Sequence, residues 1–217
     1  MGFNIEINSI LRSDDDFNLD LGAINPFSKD GSRVFFDNIP IWLTRRDWTA
    51  IAEIQVVSQT RADGGVTGSF KVRHVYDTVE QAVVTEVFRR MYASGGDPYI
   101  CLLISAADYA VAAKNGTLYN ESLKTDGFIH ASPADELTRV ANKYYTDVKE
   151  ALILVTAIDQ IDAIVKWEPA TGGLYPHIYG PLNMDAVAWV VPATKDADGQ
   201  FDITPEDLTE EHAIGRT

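Results

Sequence analysis

Before Ala93, apolar residues occur in short runs that alternate with polar residues, and polar turns separate the runs. A period of two predicts strands rather than helices. The glycines of the segment RADGG (residues 61–65) supply the positive φ that a tight turn needs, which favours a hairpin there. The predicted strands are residues 3–11, 33–36, 39–43, 48–59 and 69–76.

One helix is predicted after the last of these strands. Thr78 and Gln81 have the spacing of a capping box. The apolar positions that follow recur at helical spacing, and they predict a buried stripe made of Val83, Val84, Val87, Phe88 and Met91. Residues 1–93 are therefore predicted to form a small domain, an antiparallel sheet with one helix at its C-terminal end.

A domain boundary is predicted at residues 93–98, because this segment (ASGGDP) is small, polar and ended by proline. After it, Ser105 is predicted to cap an alanine-rich helix that Gly116 ends. Ser132 is predicted to cap a second helix with Pro133 at its first position. The buried face of that second helix is predicted to be Leu137, Val140, Ala141 and Tyr144.

The second half also contains three apolar runs that predict strands, at residues 151–158, 164–167 and 186–191. Strands and helices follow one another without strict βαβ alternation, so the fold class is α+β, with two small domains. The second domain is predicted to span residues 98–201. Residues 202–217 are predicted to be an acidic tail, with the segment from Thr204 capping a short terminal helix.

The composition argues against two classes of binding partner. The formal net charge is −14, which repels phosphate backbones and anionic lipid, so neither nucleic acid nor a membrane surface is expected as a partner. There is one cysteine, Cys101, which excludes an internal disulfide and is typical of a small core residue in its apolar run. The N-terminus lacks the pattern of a secretory signal, and no apolar run approaches the ~20 residues of a membrane span. A cytoplasmic protein is expected.

Three polar segments of the second half could carry chemistry: DGFIHAS (126–132), KWEP (166–169) and LYPHIYGPL (174–182). His130 directly precedes the predicted helix cap, where free backbone amides favour anions. Glu168 falls at the end of a predicted strand. Proline and glycine predict that the third segment is a rigid irregular loop, with His177 and Tyr179 on one side if it is extended.

These segments also carry a family resemblance. As ESLKTDGFIHAS, RVANKYY, VKWEPA and LYPHIYGPLNMDAV, followed by ADGQF, they resemble in order and spacing the motifs of domain of unknown function 952. The resemblance covers residues 98–201 and none of the first half. It implies an ADP-ribosyltransferase-like fold, a split mixed sheet with flanking helices and a nucleotide-binding cleft. Enzymes of that fold use NAD and eject nicotinamide through an oxocarbenium-like transition state.

The resemblance also implies roles for particular residues. A carboxylate would bind the ribose hydroxyls or orient the nucleophile, a histidine would hold the other edge of the ribose, and an aromatic ring would stack on nicotinamide. NAD is then the expected substrate, and no metal is expected. On this basis the catalytic candidates are Glu168, His130 and His177, and the ligand-binding candidates are Ser132, Tyr179 and Asn142.

The chain departs from the family pattern at its first strand. Family members typically have a Tyr-His pair there, and a gapless alignment places Cys101 and Leu102 at these positions; Ala131 also replaces a common cysteine. An alternative hypothesis is therefore a catalytically inactive module that binds a nucleotide or another protein. Another is that two histidines and a carboxylate form a facial triad for iron.

The candidates also admit structural roles: His130 could fix a helix entry, and Glu168 could be a solvated strand end or pair with Lys166 or an arginine. Structural roles are equally open for His177 and Tyr179, and a polar contact at a helix end would also explain Asn142.

Overall fold

The computed structural model describes residues 7–31, 33–62, 64–146, 148 and 150–214. The chain forms two compact units, Met1–Ala93 and Ser94–Thr217. Each unit has strands, at least one helix and its own cluster of buried apolar residues. The predicted α+β class is confirmed.

Unit 1 is built on a five-stranded sheet. Its elements are β1 (Ile7–Asn8), β2 (Ile10–Arg12), β3 (Ile24–Asp30), β4 (Val34–Phe35), β5 (Pro40–Thr44), β6 (Ala50–Ala62), β7 (Gly65–Val75) and α1 (Thr78–Tyr92). The strand order is β2-β5-β6-β7-β3. The pair β2–β5 is parallel and the other pairs of this sheet are antiparallel, so the prediction of a purely antiparallel sheet is wrong at its first strand. Residues 3–6 of the first predicted strand lie outside the described residues.

Strand β3 was not predicted, because proline interrupts its sequence. Pro26 lacks a backbone N–H, which a central strand would need for its ladder of hydrogen bonds. In the structure β3 is an edge strand and pairs only with β7 in this sheet. An edge strand loses nothing on its open side, and Phe27 buries its ring in the core of the unit.

The N-cap of helix α1 is Asp77, one residue before the predicted cap Thr78. The Asp77 carboxylate accepts from the backbone N–H groups of Val79 and Glu80, and the Glu80 side chain accepts from the Asp77 N–H. The predicted apolar stripe is only partly correct, because Val83 and Met91 are exposed while Phe88 is buried.

Polar contacts decide which face of α1 is covered. The Thr85 hydroxyl accepts from the Ala50 N–H at 2.9 Å, and the Gln81 amide donates to the Ala50 carbonyl at 2.9 Å. Both bonds fix the helix to the first residue of β6. The hydrophobic pattern alone does not reveal such contacts, which explains the error in the predicted stripe.

Unit 2 contains two three-stranded sheets and one two-stranded sheet. Its elements are β8 (Tyr99–Ile104), α2 (Ala106–Asn115), β9 (Thr117–Leu118), α3 (Ser122–Thr125), β10 (Ile129–His130), α4 (Leu137–Tyr144), β11 (Glu150–Ala157), β12 (Ile164–Ala170), β13 (Gly173–Tyr179), β14 (Leu182–Asn183) and β15 (Val187–Thr194). The sheet orders are β15-β11-β8, β10-β13-β12 and β14-β9. Every strand pair described in this unit is antiparallel, so the prediction of a mixed sheet is wrong.

The two three-stranded sheets meet at a single residue pair. The Cys101 N–H donates to the Ser132 carbonyl at 2.9 Å, and the Ser132 N–H donates to the Cys101 carbonyl at 2.8 Å. Cys101 lies on β8, and Ser132 follows β10 by two residues. This isolated bridge therefore joins the backbones of the two sheets.

Two local predictions are confirmed and one boundary is extended. Ser105 caps α2 through the Asp108 N–H, and Gly116 ends this helix in a left-handed conformation. After Thr204 the structure has a short 3₁₀ turn where a helix was predicted, and the Thr204 N–H and hydroxyl both donate to the Asp207 carboxylate. The residues after 201 are more than a tail, however, because Ile203 and Leu208 are buried in the core cluster of unit 2. Of the helices that the structure describes, none is both long and apolar enough to cross a membrane.

Candidate functional site

Unit 2 contains a cavity of about 410 Å³ that is lined by both residues of the Cys101–Ser132 bridge. This volume lies within the range of small-molecule sites. Apolar and aromatic side chains supply one part of the wall, namely Cys101, Leu103, Val140, Tyr144, Tyr145 and Tyr175. Polar side chains supply another part, namely His130, Ser132, Arg139, Thr171 and His177. A mostly apolar wall with a few convergent polar groups is typical of a ligand pocket.

The strand register places most of the candidate residues on one face of the sheet β10-β13-β12. Residues that are directly opposite on antiparallel strands point to the same face, and so do alternate residues on one strand. His177 on β13 lies opposite His130 on β10 and Lys166 on β12. By the same rule, that face carries His130, Ser132, Tyr175, His177, Tyr179, Lys166 and Glu168. The opposite face carries Ile129, Trp167 and Ile178, which are buried.

The segment predicted to be an irregular loop is strand β13, so that prediction is wrong. Pro176 lies within β13, and its carbonyl accepts from the Ala131 N–H at 3.0 Å. The N–H and C=O of a strand residue point to the same side, so the missing proline donor also lies on the β10 side. Strand β10 ends at His130, just before this point, and the pairing with β12 therefore remains complete.

His177 is the buried centre of the site. Its Nδ1 lies 2.7 Å from Oε2 of Glu168, and the residue is 8% exposed. Phe128 stacks on its ring at 4.0 Å between centroids, with an interplanar angle of 18°. Because Glu168 occupies Nδ1, the nitrogen left to act on a ligand is Nε2, which has no hydrogen-bond partner among the residues that the structure describes.

Glu168 binds two donors through one oxygen. Oε2 accepts from the Tyr179 hydroxyl at 2.7 Å and is hydrogen-bonded to His177. Partial burial of the carboxyl favours its neutral form, but the bonds to Tyr179 and His177 outweigh burial and hold the pKa of Glu168 below its usual value. Glu168 is therefore ionised at neutral pH. Neither Glu168 nor Tyr179 lines the cavity. Glu168 contacts the cavity-lining His177, and Tyr179 contacts Glu168.

His130 lies beside His177, with ring centroids 5.3 Å apart and an interplanar angle of 86°. Its Nε2 lies 3.0 Å from Oδ2 of Asp126, and this bond to His130 is the main cause that lowers the pKa of the exposed Asp126 carboxyl. The His130 side chain is 58% exposed. It therefore forms the solvent side of the cavity, while His177 forms the interior.

Ser132 is not a helix cap, so the prediction that placed His130 at a helix N-terminus is wrong. Both backbone groups of Ser132 bond to Cys101, and α4 starts only after a 3₁₀ turn at Ala134–Glu136 that has no side-chain cap. Ser132 is 4% exposed and lines the cavity. Its hydroxyl has no hydrogen-bond partner in the part of the chain that the structure describes, which leaves it available to a ligand.

Asn142 lies away from the cavity. Its amide nitrogen donates to the Phe201 carbonyl at 2.8 Å, and its oxygen accepts from the Phe201 N–H at 2.7 Å. With both ends of the amide engaged, Asn142 holds the C-terminal segment against α4. The structure thus gives this residue a structural position where the resemblance implied a ligand contact.

The first strand of the unit also corrects an expectation. Cys101 and Leu103 line the cavity, and the alternating residue Leu102 does not. Position 102 therefore faces away from the site, and a histidine directed at the cavity would have to stand at 101 or 103. Burial raises the pKa of the Cys101 thiol to about 12, with a further contribution from Asp97. A neutral thiol is a poor nucleophile.

Arg139 and Tyr175 are among the wall residues that sequence reasoning missed, and it assigned Tyr144 to a buried helix face. Tyr144 is 65% exposed and lines the cavity instead. The spacing of Glu136 and Arg139, which form an ion pair at 2.7 Å, was an available signal. Within the described ranges, no group of three or more His, Cys, Asp or Glu side chains could hold a metal ion, so the iron-site alternative has no ligand set there.

Comparison with known families supports the resemblance for unit 2. Residues 103–190 match the model of the family described as Protein of unknown function (DUF952). The match runs from β8 into β15 and includes every residue of the His177–Glu168–Tyr179 group. The DUF952 family is therefore supported for this segment. No curated protein matches the chain.

Solved structures from two bacteria are similar to part of the chain. The X-ray crystal structure of protein CC0527 from Caulobacter crescentus is 27% identical, with 48% of this chain and 93% of that chain covered and a TM-score of 0.45. The solution NMR structure of CC0527 is 28% identical, with coverages of 48% and 90% and a TM-score of 0.43. Protein ytmB from Bacillus subtilis is 21% identical, with coverages of 36% and 98% and a TM-score of 0.30.

Proposed function

We propose that unit 2 binds a nicotinamide nucleotide such as NAD and hydrolyses its glycosidic bond, with His177 as general base. The observation that carries this proposal is the pair His177–Glu168. His177 lines a cavity of small-molecule size, and its Nδ1 is bonded to a carboxylate whose pKa is lowered. A carboxylate that orients a histidine and stabilises its protonated form is a recurrent arrangement for proton transfer.

The proposed step needs only the nucleotide and one water molecule as reactants. The bond between the ribose C1′ and the nicotinamide nitrogen breaks, and its electron pair leaves with nicotinamide. A water oxygen bonds to C1′, and its proton moves to Nε2 of His177. Glu168 then stabilises the positive imidazolium at 2.7 Å. The aromatic wall of Tyr144, Tyr145 and Tyr175 suits a flat ring.

The test is release of nicotinamide from NAD by the full chain, measured by chromatography. His177→Asn should lower the release rate on the order of 10²-fold or more, since a positioned general base contributes that much. Glu168→Gln should also lower the rate, because the neutral amide cannot stabilise the imidazolium. The matched control is His74→Asn, because His74 also forms a histidine–glutamate pair, with Glu80 at 2.9 Å, but belongs to unit 1.

Thermal stability with NAD separates this proposal from the binding-module alternative. A ligand at 100 times its dissociation constant stabilises the native state by about 2.7 kcal/mol. Stabilisation without nicotinamide release, unchanged in His177→Asn, would assign a catalytically inactive nucleotide-binding module. If NAD neither stabilises the chain nor releases nicotinamide, the nucleotide proposal is overturned.

A further inference from the structure

Arg139 is held in the cavity wall by contacts from two sides. Its Nε donates to Oε2 of Glu136 at 2.7 Å, and the same oxygen accepts from the Tyr175 hydroxyl at 2.9 Å. The guanidinium carbon lies over the Tyr175 ring, 5.5 Å from its centroid. The side chain is 41% exposed, so the guanidinium borders both the cavity and solvent.

The hairpin between β12 and β13 approaches the same guanidinium closely. A Cβ at Gly172 would lie 2.8 Å from Nη2 of Arg139 and 3.0 Å from its Cζ. Gly172 also has a φ of +102°, which side chains rarely adopt. Glycine at this position therefore permits the close approach of the turn to the guanidinium.

The two terminal nitrogens of Arg139 are left without an acceptor among the described residues. Glu136 engages only Nε. A guanidinium presents its remaining N–H groups as a planar fork that matches an oxyanion with two parallel bonds. Arg139 is the one lysine or arginine among the described residues that line the cavity. The hydroxyl of Ser132, a residue that is 4% exposed, also has no partner among those residues and is a second donor in the same wall.

We infer that Arg139, assisted by the Ser132 hydroxyl, binds a phosphate of the ligand and makes the cavity select nucleotides over nucleosides. The inference rests on the proposed function, since it takes the oxyanion to be the phosphate of a nicotinamide nucleotide. The structural basis is an oriented guanidinium with two unengaged terminal nitrogens and a Ser132 hydroxyl without a partner among the described residues, both in the wall of the cavity that His177 lines.

The experiment compares two ligands that differ by one phosphate, nicotinamide mononucleotide and nicotinamide riboside. Calorimetry on the full chain should show that the mononucleotide binds about ten- to a hundredfold more tightly, the range expected for hydrogen bonds to charged groups. Arg139→Met should remove this preference and leave riboside binding unchanged. Lys114→Met is the matched control, because it removes the same charge from an exposed helical position, on α2, that does not line the cavity.

A second pair of variants keeps the charge and moves the guanidinium. Gly172→Ala should weaken binding of the mononucleotide but not of the riboside, because the new Cβ displaces Arg139. Gly173→Ala is its control, since a Cβ there meets nothing within 4 Å. Inorganic phosphate should compete with the mononucleotide in the native chain and not in Arg139→Met.

Equal affinity of the native chain for the two ligands would overturn the inference, and so would an equal loss for both in Arg139→Met. If the mononucleotide preference depends on Arg139 but no nicotinamide is released, the hydrolytic proposal fails and the phosphate site stands. If nicotinamide is released without a phosphate preference, the hydrolytic proposal stands and the phosphate site fails. If neither ligand binds, both the hydrolytic proposal and the phosphate site are overturned.

Discussion

At the scale of single residues, one oxygen atom organises the candidate site. Oε2 of Glu168 accepts from Tyr179 and bonds His177, so the orientation of the histidine depends on a carboxylate outside the cavity. The hydrogen bonds favour the ionised carboxyl, and its folded pKa is therefore below its unfolded pKa. The stability that this carboxyl contributes is fully present above the unfolded pKa and is lost as the pH falls through the folded pKa.

Tyr179→Phe tests this account of Glu168. The substitution removes one of the two donors, so the pKa of the Glu168 carboxyl should rise, and its contribution to stability should be lost at a higher pH than in the native chain. The measurement is a ¹³C NMR titration of the Glu168 carboxyl. Tyr119→Phe is the control, because Tyr119 is 73% exposed and makes no contact with Glu168. Identical Glu168 titrations in the two variants would show that Tyr179 does not set this pKa.

At the scale of elements, helix α1 shows how a boundary is fixed by one side chain. The sequence offers two overlapping capping boxes, Thr78 with Gln81 and Asp77 with Glu80. The structure uses the second, and one turn later Gln81 and Thr85 hydrogen-bond to Ala50 of β6.

Substitution of Asp77 and of Thr78, each on its own, shows which of the two residues caps the helix. Asp77→Ala should destabilise the start of α1 by about 1 kcal/mol, because two backbone N–H groups lose their acceptor. Amide hydrogen exchange in the first turn of α1 should then be about fivefold faster. Thr78→Ala, at an exposed helical position, should leave the exchange rates nearly unchanged. Faster exchange in Thr78→Ala than in Asp77→Ala would assign the cap to Thr78.

At the scale of the whole molecule, the core of unit 2 depends on residues that follow its last strand. Phe201, Ile203 and Leu208 are buried beside residues of β8, β11 and α4. Several long-range bonds fix this segment, among them those of Asn142 with Phe201. The Thr138 hydroxyl donates to the Ile203 carbonyl at 2.6 Å, and the Trp189 indole donates to the Leu208 carbonyl at 2.9 Å. Residues 202–214 therefore complete the core of the unit.

Two fragments test this completion. The fragment 94–217 should fold alone and unfold cooperatively, because its apolar cluster is built from its own residues. The fragment 94–201 should be less stable by about 3–6 kcal/mol, since it loses two buried side chains worth about 1.5–3 kcal/mol each. Urea unfolding followed by circular dichroism measures both. Equal stability of the two fragments would show that the C-terminal segment is dispensable, and a broad transition for 94–217 would contradict its independence.

The sequence by itself determined the features that depend on near neighbours. The cap and end of α2, the turn before β7, the run of β11 and the α+β class all follow from side chains a few positions apart. It also named the side chains that the structure brings together, His130, His177, Glu168 and Tyr179, because polar residues interrupt apolar runs on three segments. Their roles in a reaction stay a prediction.

Only the tertiary structure decided what those residues contact. Ser132 forms an isolated bridge instead of a helix cap because its backbone hydrogen bonds go to Cys101, 31 positions earlier. Pro176 was accommodated in β13 because β10 ends beside it, and Asn142 was drawn to Phe201, 59 positions later. Arg139 entered the cavity wall because a distant glycine turn leaves room for it. In each case the partner is remote in the chain, and local propensity carries no information about which remote group will satisfy a hydrogen bond or fill a space.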